Sequence, residues 1–372
     1  MVFKSTWLNV SRIGSVEMYD VIYKFMNENR CLIVSLNFNP GHVSHLVASY
    51  RQAEELGYEP WLYVNEGFLS FLPGQCRVMT DREPLPRAAF AIITFPSIKN
   101  LWLLWRLRRQ HIRTLYMFHE PLAPIHTYRE AGYSYIYITK VLMIHCVNAL
   151  TVKLSDIVLL PSKKAMEYYQ YNCMYGNDRY YHLPLLYPDE RTEMHEQTER
   201  QYFSYIGTVA KDHSFDEYLS FIEWAVTHDR LPQLRFLIAT RSEFVVPGAL
   251  LSSDRVTIQQ GKPMTDEEIN HWYASSYVVW NAYSRTTQSG VLAKSFMFGT
   301  PAVVMSKNLC EVASNGVEVL AINDNKDKKQ IEDAVAEIIS NFDCYSKACR
   351  ERFLSTFFYR NYNEQLQHIL SN

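Results

Sequence analysis

Unbroken apolar runs of strand length recur along this chain, each followed by turn residues and then a helical pattern. Residues 31–36 (CLIVSL) and 88–95 (AAFAIITF) show no regular polar alternation. A strand reads this way when both of its faces are buried, which is the situation of a parallel sheet covered by helices on each side. Residues 31–36 run into a loop, Asn37-Phe38-Asn39-Pro40-Gly41-His42. Residues 43–56 then have helical spacing and stop at Gly57, and residues 61–64 form the next strand. That order, β–loop–α–β, opens a doubly wound sheet, in which ligands sit beyond the carboxyl ends of the strands.

The same alternation predicts strands at residues 114–118, 155–162, 201–206, 234–239, 256–259, 277–280, 302–304 and 320–322. Helices are expected over 16–29, 43–56, 99–113, up to about 154, from 163, and over 215–227, 265–274, 326–342 and 344–370. The helix at 265 opens with a capping-box pattern, Thr-Asp-Glu-Glu. Residues 121–135 read as a loop.

Residues 286–304, TTQSGVLAKSFMFGTPAVV, carry the chemistry. A small, polar turn leads into a short helix, which ends at Gly299 before Pro301 and a β-branched strand. A helix start offers unpaired backbone N–H groups and partial positive charge, and Ser289-Gly290 lets a ligand approach that backbone closely. Lys294, one turn further in, is placed to reach an anion held there. The expectation is a diphosphate clamp.

With 372 residues, 48% hydrophobic and 14% aromatic, the chain has enough apolar material for two domains of ordinary size. The polar run after Pro188 (DERTEMHEQTER) divides it. Residues 1–186 form a first domain, 187–200 a linker, 201–355 a second domain, and 356–372 a terminal helix that returns to the first domain. The net charge of −2 argues against a general nucleic-acid binder. It is uneven, however: residues 1–186 hold 19 Lys+Arg against 14 Asp+Glu (+5), leaving 18 against 25 (−7) for the rest. The basic residues of the 99–113 helix, Arg106, Arg108, Arg109 and Arg113, read either as the solvated face of a sheet-covering helix or as a contact for anionic lipid head groups. Seven scattered cysteines without a C-x-x-C pair read as reduced structural thiols. The N-terminus lacks the pattern of a signal peptide. A cytoplasmic protein, peripheral to the inner face of a membrane, is the expected setting.

The order of these pieces resembles the nucleotide-sugar glycosyltransferases built from two facing Rossmann-like domains, the GT-B architecture, and is closest in pattern to family 4. Pro40-Gly41-His42 with the following helix is similar to that family's first glycine loop. Ser155-Asp156-Ile157-Val158 through Ser162 is similar to a family strand. Tyr205-Ile206-Gly207-Thr208 looks like the opening of the donor domain, and Ser289-Gly290 through Val304 like the donor-phosphate helix. Many family members carry two glutamates eight apart here. Thr286 and Lys294 stand at those positions, so the carboxylates that would hold the donor's sugar or ribose are missing.

The resemblance implies transfer of a hexosyl group from a nucleoside-diphosphate sugar, of UDP or GDP type, to a glycan or lipid-linked saccharide in cell-surface polysaccharide biosynthesis. No further cofactor and no metal ion are expected, since no Asp-x-Asp motif is evident. The donor-side residues would be Gly207, Thr208, Lys211, Arg241, Lys262, Gln288, Ser289, Gly290 and Lys294, with His213 as a further source of charge. Gly41, His42, His126 and Arg129 would face the acceptor. His119 and Glu120 directly follow a strand, the usual place for chemistry in such sheets, and are the catalytic candidates. The competing readings are an inactive scaffold of the same fold, a membrane-surface binding protein and a sugar-nucleotide epimerase.

Overall fold

Two parallel sheets form the frame. The first joins β1 (Arg30–Ser35), β2 (Glu59–Val64), β3 (Val78–Thr80), β4 (Phe90–Ile93), β5 (Arg113–Met117), β6 (Ile157–Leu160) and β7 (Tyr180–His182) in the order β3-β2-β1-β4-β5-β6-β7. The second joins β8 (Tyr202–Ile206), β9 (Arg235–Ala239), β10 (Val256–Gln259), β11 (Ser276–Asn281), β12 (Ala302–Met305) and β13 (Val319–Ile322) in the order β10-β9-β8-β11-β12-β13. This computed structural model describes residues 29–309 and 311–372. The helix expected over 16–29, all but its last residue, and Cys310 lie outside the described residues.

The inner strands are buried on both faces, as their sequence requires, and the edge strands β3, β7 and β10 are half-buried. Cys31, Ile92 and Leu115 face α1 (Val43–Glu55) and the C-terminal helix. Their neighbours Leu32, Ala91 and Tyr116 face α2 (Lys99–Arg109), α4 (Tyr135–Leu154) and α5 (Lys163–Tyr171). Between α2 and α4 the expected loop contains a short helix, α3 (Ile125–Glu130). In the second sheet, α6 (Phe215–Thr227), α7 (Asp266–Ala274), α8 (Gly290–Met297) and α9 (Lys328–Ser340) provide the cover. The capping box at the start of α7 is formed, with Thr265 and Glu268 exchanging hydrogen bonds.

Three expectations change. Helix α2 stops at Arg109, because His111 adopts φ 56° and Arg113 is already the first residue of β5. The Arg113 guanidinium therefore leaves the basic helix face and donates to the carbonyls of Ile369 and Leu370. Residues 344–370 are not one helix. After α10 (Phe342–Arg352) comes a wide turn, Phe353–Phe357. Phe358 is then extended and bridges Tyr187, before α11 (Asn363–Ser371) begins. Consecutive aromatics favour extended backbone, and here Phe357 and Tyr359 are buried by it. Through this break the chain crosses to the first domain, where Gln52 donates to the Tyr359 carbonyl and the Tyr359 hydroxyl to Glu55. Finally, β3 and β7 extend the first sheet beyond the strands expected from the sequence.

Candidate active site

In each sheet the strand order reverses once, between β1 and β4 and between β8 and β11. Loops leave such switch points in opposite directions and open a crevice. The two crevices face one another across a cleft with 1120 Å³ of free space. Its walls carry Gly41, His42, His119 and Glu120 from the first domain. Gly207, Thr208, His213, Gln288, Ser289, Gly290 and Lys294 come from the second.

The other expected site residues lie elsewhere. Lys211 donates to the Gly132 carbonyl (3.3 Å) and lines a separate depression with Arg129. Arg129 stacks on Tyr135, and His126 is exposed on α3. Arg241 and Lys262 are exposed beyond the ends of β9 and β10, outside the cleft lining, though the Arg241 charge still acts on His42.

On the second-domain wall, α8 begins at Gly290 after Ser289 in an extended conformation. No side chain caps it, so its first amide groups face the cleft. The Ser289 hydroxyl accepts from Asn281 (2.7 Å). A Cβ at position 290 would lie 2.8 Å from the Tyr187 hydroxyl, so only glycine fits there without displacement. Gly299, at φ 65°, ends the unit as expected.

Lys294 is placed differently from a free phosphate ligand. It is 7% exposed, and its ammonium donates to Glu190 (2.5 Å), Asn270 (2.8 Å) and Asp266 (3.4 Å). Burial acts to lower its pKa, but Glu190 and Asp266 outweigh that and raise it. Burial opposes the charge on Glu190 as well, yet the lysine holds its pKa down. Asp266 is pushed up, first by burial and then by the neighbouring Glu190. The expected diphosphate grip of Lys294 is thus replaced by an internal ion cluster. Carboxylates absent at positions 286 and 294 stand in the same region, supplied by Glu190 before the second sheet and by Asp266 at the start of α7.

Arg285 was not among the residues expected from the sequence. It follows β11, lines the cleft and is 9% exposed. One terminal nitrogen donates to Asp212 (3.0 Å) and lies 4.0 Å from Glu120, while the guanidinium covers the Tyr128 ring. Its Nε and its other terminal nitrogen are buried without hydrogen-bond partners. Burial lowers its pKa, but Glu120, Tyr128 and Asp212 raise it further, so the charge is secure. The only sequence signal was an arginine placed after a buried strand beside the small-residue turn.

On the first-domain wall three histidines surround Phe95. His42 stacks on that ring with centroids 3.3 Å apart. Asn39 accepts from the Gly41 amide (3.2 Å), so its NH2 group faces His42 Nε2 (3.0 Å). Nε2 must then accept, and the proton sits on Nδ1, which is buried and unpartnered. Burial, followed by His119, His45 and Arg241, holds the His42 pKa well below the usual range. Burial and His45 push His119 down to about 3, against a raising hydrogen bond to the Thr94 backbone. Burial leads for His45 also, at about 4, with its Nδ1 hydrogen-bonded to the Leu186 carbonyl (3.0 Å). All three rings are neutral at pH 7. Glu120 is the exposed acid of this wall, its side chain 57% accessible. Among the described residues, no group of three His, Cys, Asp or Glu side chains is arranged to hold a metal ion, and the cysteines are all free.

No family model and no curated protein matches the sequence. Solved structures do. Sucrose-phosphate synthase from Thermosynechococcus elongatus superposes with a TM-score of 0.63 at 13% identity, covering 92% of this chain and 98% of its own. HepE from Anabaena in complex with UDP-glucose gives 0.64 at 11%, covering 92% and 99%. An alpha-glucosyltransferase in complex with UDP and DNA gives 0.61 at 11%, covering 92% and 99%. At such identities the likeness is one of fold. The chain has the GT-B architecture, with two Rossmann-like domains facing across a cleft and a terminal helix returning to the first.

Proposed function

We propose that this chain is a glycosyltransferase of the family 4 type. It moves a hexosyl group from a nucleoside-diphosphate sugar, UDP or GDP linked, to a glycan or lipid-linked saccharide without a metal ion. The carrying observation is that one cleft contains both an open helix N-terminus, at Gly290, and a buried arginine with two unpaired donors. In the reaction the bond between the anomeric carbon and the phosphate oxygen breaks, and the acceptor oxygen forms the new bond. The departing diphosphate needs charge stabilisation more than a proton. Backbone amides of α8 and the positive charge of the Arg285 guanidinium supply it, with Gln288, Ser289, Thr208 and Gly207 shaping the pocket.

Asp266, beside Lys294, accepts from donor hydroxyls. This restores the hydrogen-bonding character of the missing glutamates. His42 lines the acceptor side of the cleft. A ring pushed as low as His119 is a weak base, so His119 hydrogen-bonds the sugar. If configuration inverts, Glu120 takes the acceptor proton. Crystals of neighbours with UDP and UDP-glucose support this donor class. The setting is cell-surface polysaccharide synthesis, with the protein in the cytoplasm against the inner membrane face through the arginines of α2.

A thermal-shift series with UDP, GDP, CDP and dTDP tests the donor site, because a ligand that binds the folded state raises apparent stability. One nucleotide should raise the midpoint, and its sugar conjugate should release that nucleotide when acceptor is added. No shift with any of the four, together with no donor turnover, would overturn the proposal.

A further inference from the structure

The outer side of the first domain carries a feature the cleft does not use. Helices α2 and α4 lie on the same sheet face and pack against each other. Along α2 and its cap, Ile98, Trp102 and Trp105 recur at helical spacing and are exposed, Trp102 by 61%. Along α4, Ile136 (75% exposed), Met143, Ile144 and Leu150 do the same, with Tyr135 and Tyr137 at its start. Single exposed apolar residues need no explanation, but a contiguous set on two adjacent helices does.

The charges on these two helices have one sign, and only Lys99 among them has an acidic partner among the described residues, Asp81, after β3. The two helices carry Lys99, Arg106, Arg108, Arg109, Lys140 and Lys153 and no acidic residue. Arg106 lies over the Trp102 ring and Arg109 over Trp105, at 4.6 and 4.1 Å. Helix α4 is long and apolar enough to cross a membrane. Its inner side, however, is fixed to the sheet by Ile138, Ala149 and Val152 and by a His145–Tyr175 hydrogen bond. It therefore lies along the surface.

We infer that the α2–α4 face is a monotopic docking surface for an anionic lipid bilayer, inserting Trp102, Trp105, Ile136, Met143 and Ile144 below the head groups. This deepens the peripheral contact proposed above and rests on that part of it. Aromatic and aliphatic side chains ringed by basic ones suit the boundary between acyl chains and anionic head groups. A second copy of the chain would oppose like charges and is disfavoured. Helices in β–α–β units start at the carboxyl ends of strands, so Ile98 and Tyr135–Tyr137 lie toward the cleft. Docking thus brings the cleft mouth to the lipid surface, where a lipid-linked acceptor would present its sugar.

The test is flotation of the full chain with vesicles of phosphatidylcholine alone, and with phosphatidylglycerol in equal parts. Binding should require the anionic lipid. Reversing Arg108 and Arg109 (R108E/R109E) should weaken it at least tenfold. Ile136→Asp with Met143→Asp, both at exposed positions, should abolish it. Lipids brominated along the acyl chain should quench emission from the parent protein and far less from W102F/W105F. Absence of binding, binding indifferent to the Asp pair, or binding without quenching would each overturn the inference. So would a dimer that the Asp pair dissociates. Nucleotide-induced thermal shifts on the same variants read the donor site separately, so failure of the two ideas can be told apart.

Discussion

Two buried cations stand in the same cleft and are treated differently. Lys294 is 7% exposed, and its ammonium has three partners, Glu190, Asn270 and Asp266. Arg285 is 9% exposed, yet two of its nitrogens have no hydrogen-bond partner. A buried charge is tolerated when its bonds are satisfied, and an unsatisfied buried donor has a cost that a ligand can relieve. The comparison assigns Lys294 to holding the cleft wall together and leaves Arg285 for the proposed diphosphate. Position on α8 alone, one turn from an anion site, would have ranked them the other way.

The sharpest way to break this contrast is Lys294→Ala. Removing one partner of a buried ion cluster leaves uncompensated carboxylates and costs about 3–5 kcal/mol. Urea unfolding should show a loss of that order. Adding Glu190→Gln should recover a large part of it, since the stranded charge is then gone. A stability loss below about 1 kcal/mol would mean that the lysine is not the cluster's keystone.

Arg285→Ala should do the reverse. Donor-dependent turnover should fall about 100-fold or more, the scale seen when a preorganised donor to a departing anion is removed. The midpoint should change little, because Asp212 keeps its hydrogen bond from Tyr133 (3.0 Å). Arg285→Lys should not rescue turnover, since one ammonium cannot replace a forked set of donors. Turnover near the parent value would return the diphosphate role to the helix start alone.

Gly290→Ala is a smaller change. The new methyl would sit 2.8 Å from the hydroxyl of the buried Tyr187, and overpacking against a buried side chain costs about 1–3 kcal/mol. Tyr187→Phe removes the clashing oxygen, so the double variant should be more stable than the sum of the singles predicts. Additive losses in the urea midpoint would show that the close approach is not what excludes a side chain there.

The sequence showed clearly where the cleft is and only poorly how its charges pair. Helix Phe215–Thr227 and strand Val256–Gln259 fall where their periodicity puts them, because burial and turn residues are local signals. Gly41, His42, His119, Gly207 and Gly290 meet because each sits in a loop leaving a strand end, and strand order brings those ends together. Strands β3 and β7 were not legible, being three residues long and only partly buried at a sheet edge. The positive φ at His111, which ends α2 early, had no glycine to announce it. The partners of Lys294 were hidden for another reason. Glu190 and Asp266 lie 104 and 28 residues away, and nothing local reports a tertiary ion cluster.

The last contrast is between that cluster and the facing histidines, and it is a matter of pH. His45 is held at about 4 and His119 at about 3, against an ordinary value of 6.5. Below pH 6.5 the unfolded chain binds protons that the folded chain refuses. Stability therefore falls as pH drops from 6.5 toward 4, by about 1.4 kcal/mol per pH unit for each such ring. Glu190 acts in a lower window. Its pKa is depressed by Lys294, so its contribution is present above 4.5 and is lost only as pH falls below that. Urea midpoints measured between pH 7 and 5 should thus decline through the histidines while Glu190 stays charged, with Asp266, raised by burial, acting in the opposite sense. Replacing His45 with Gln should remove about one ring's share of that slope. An unchanged slope would mean that this ring is already free to take up a proton in the folded protein.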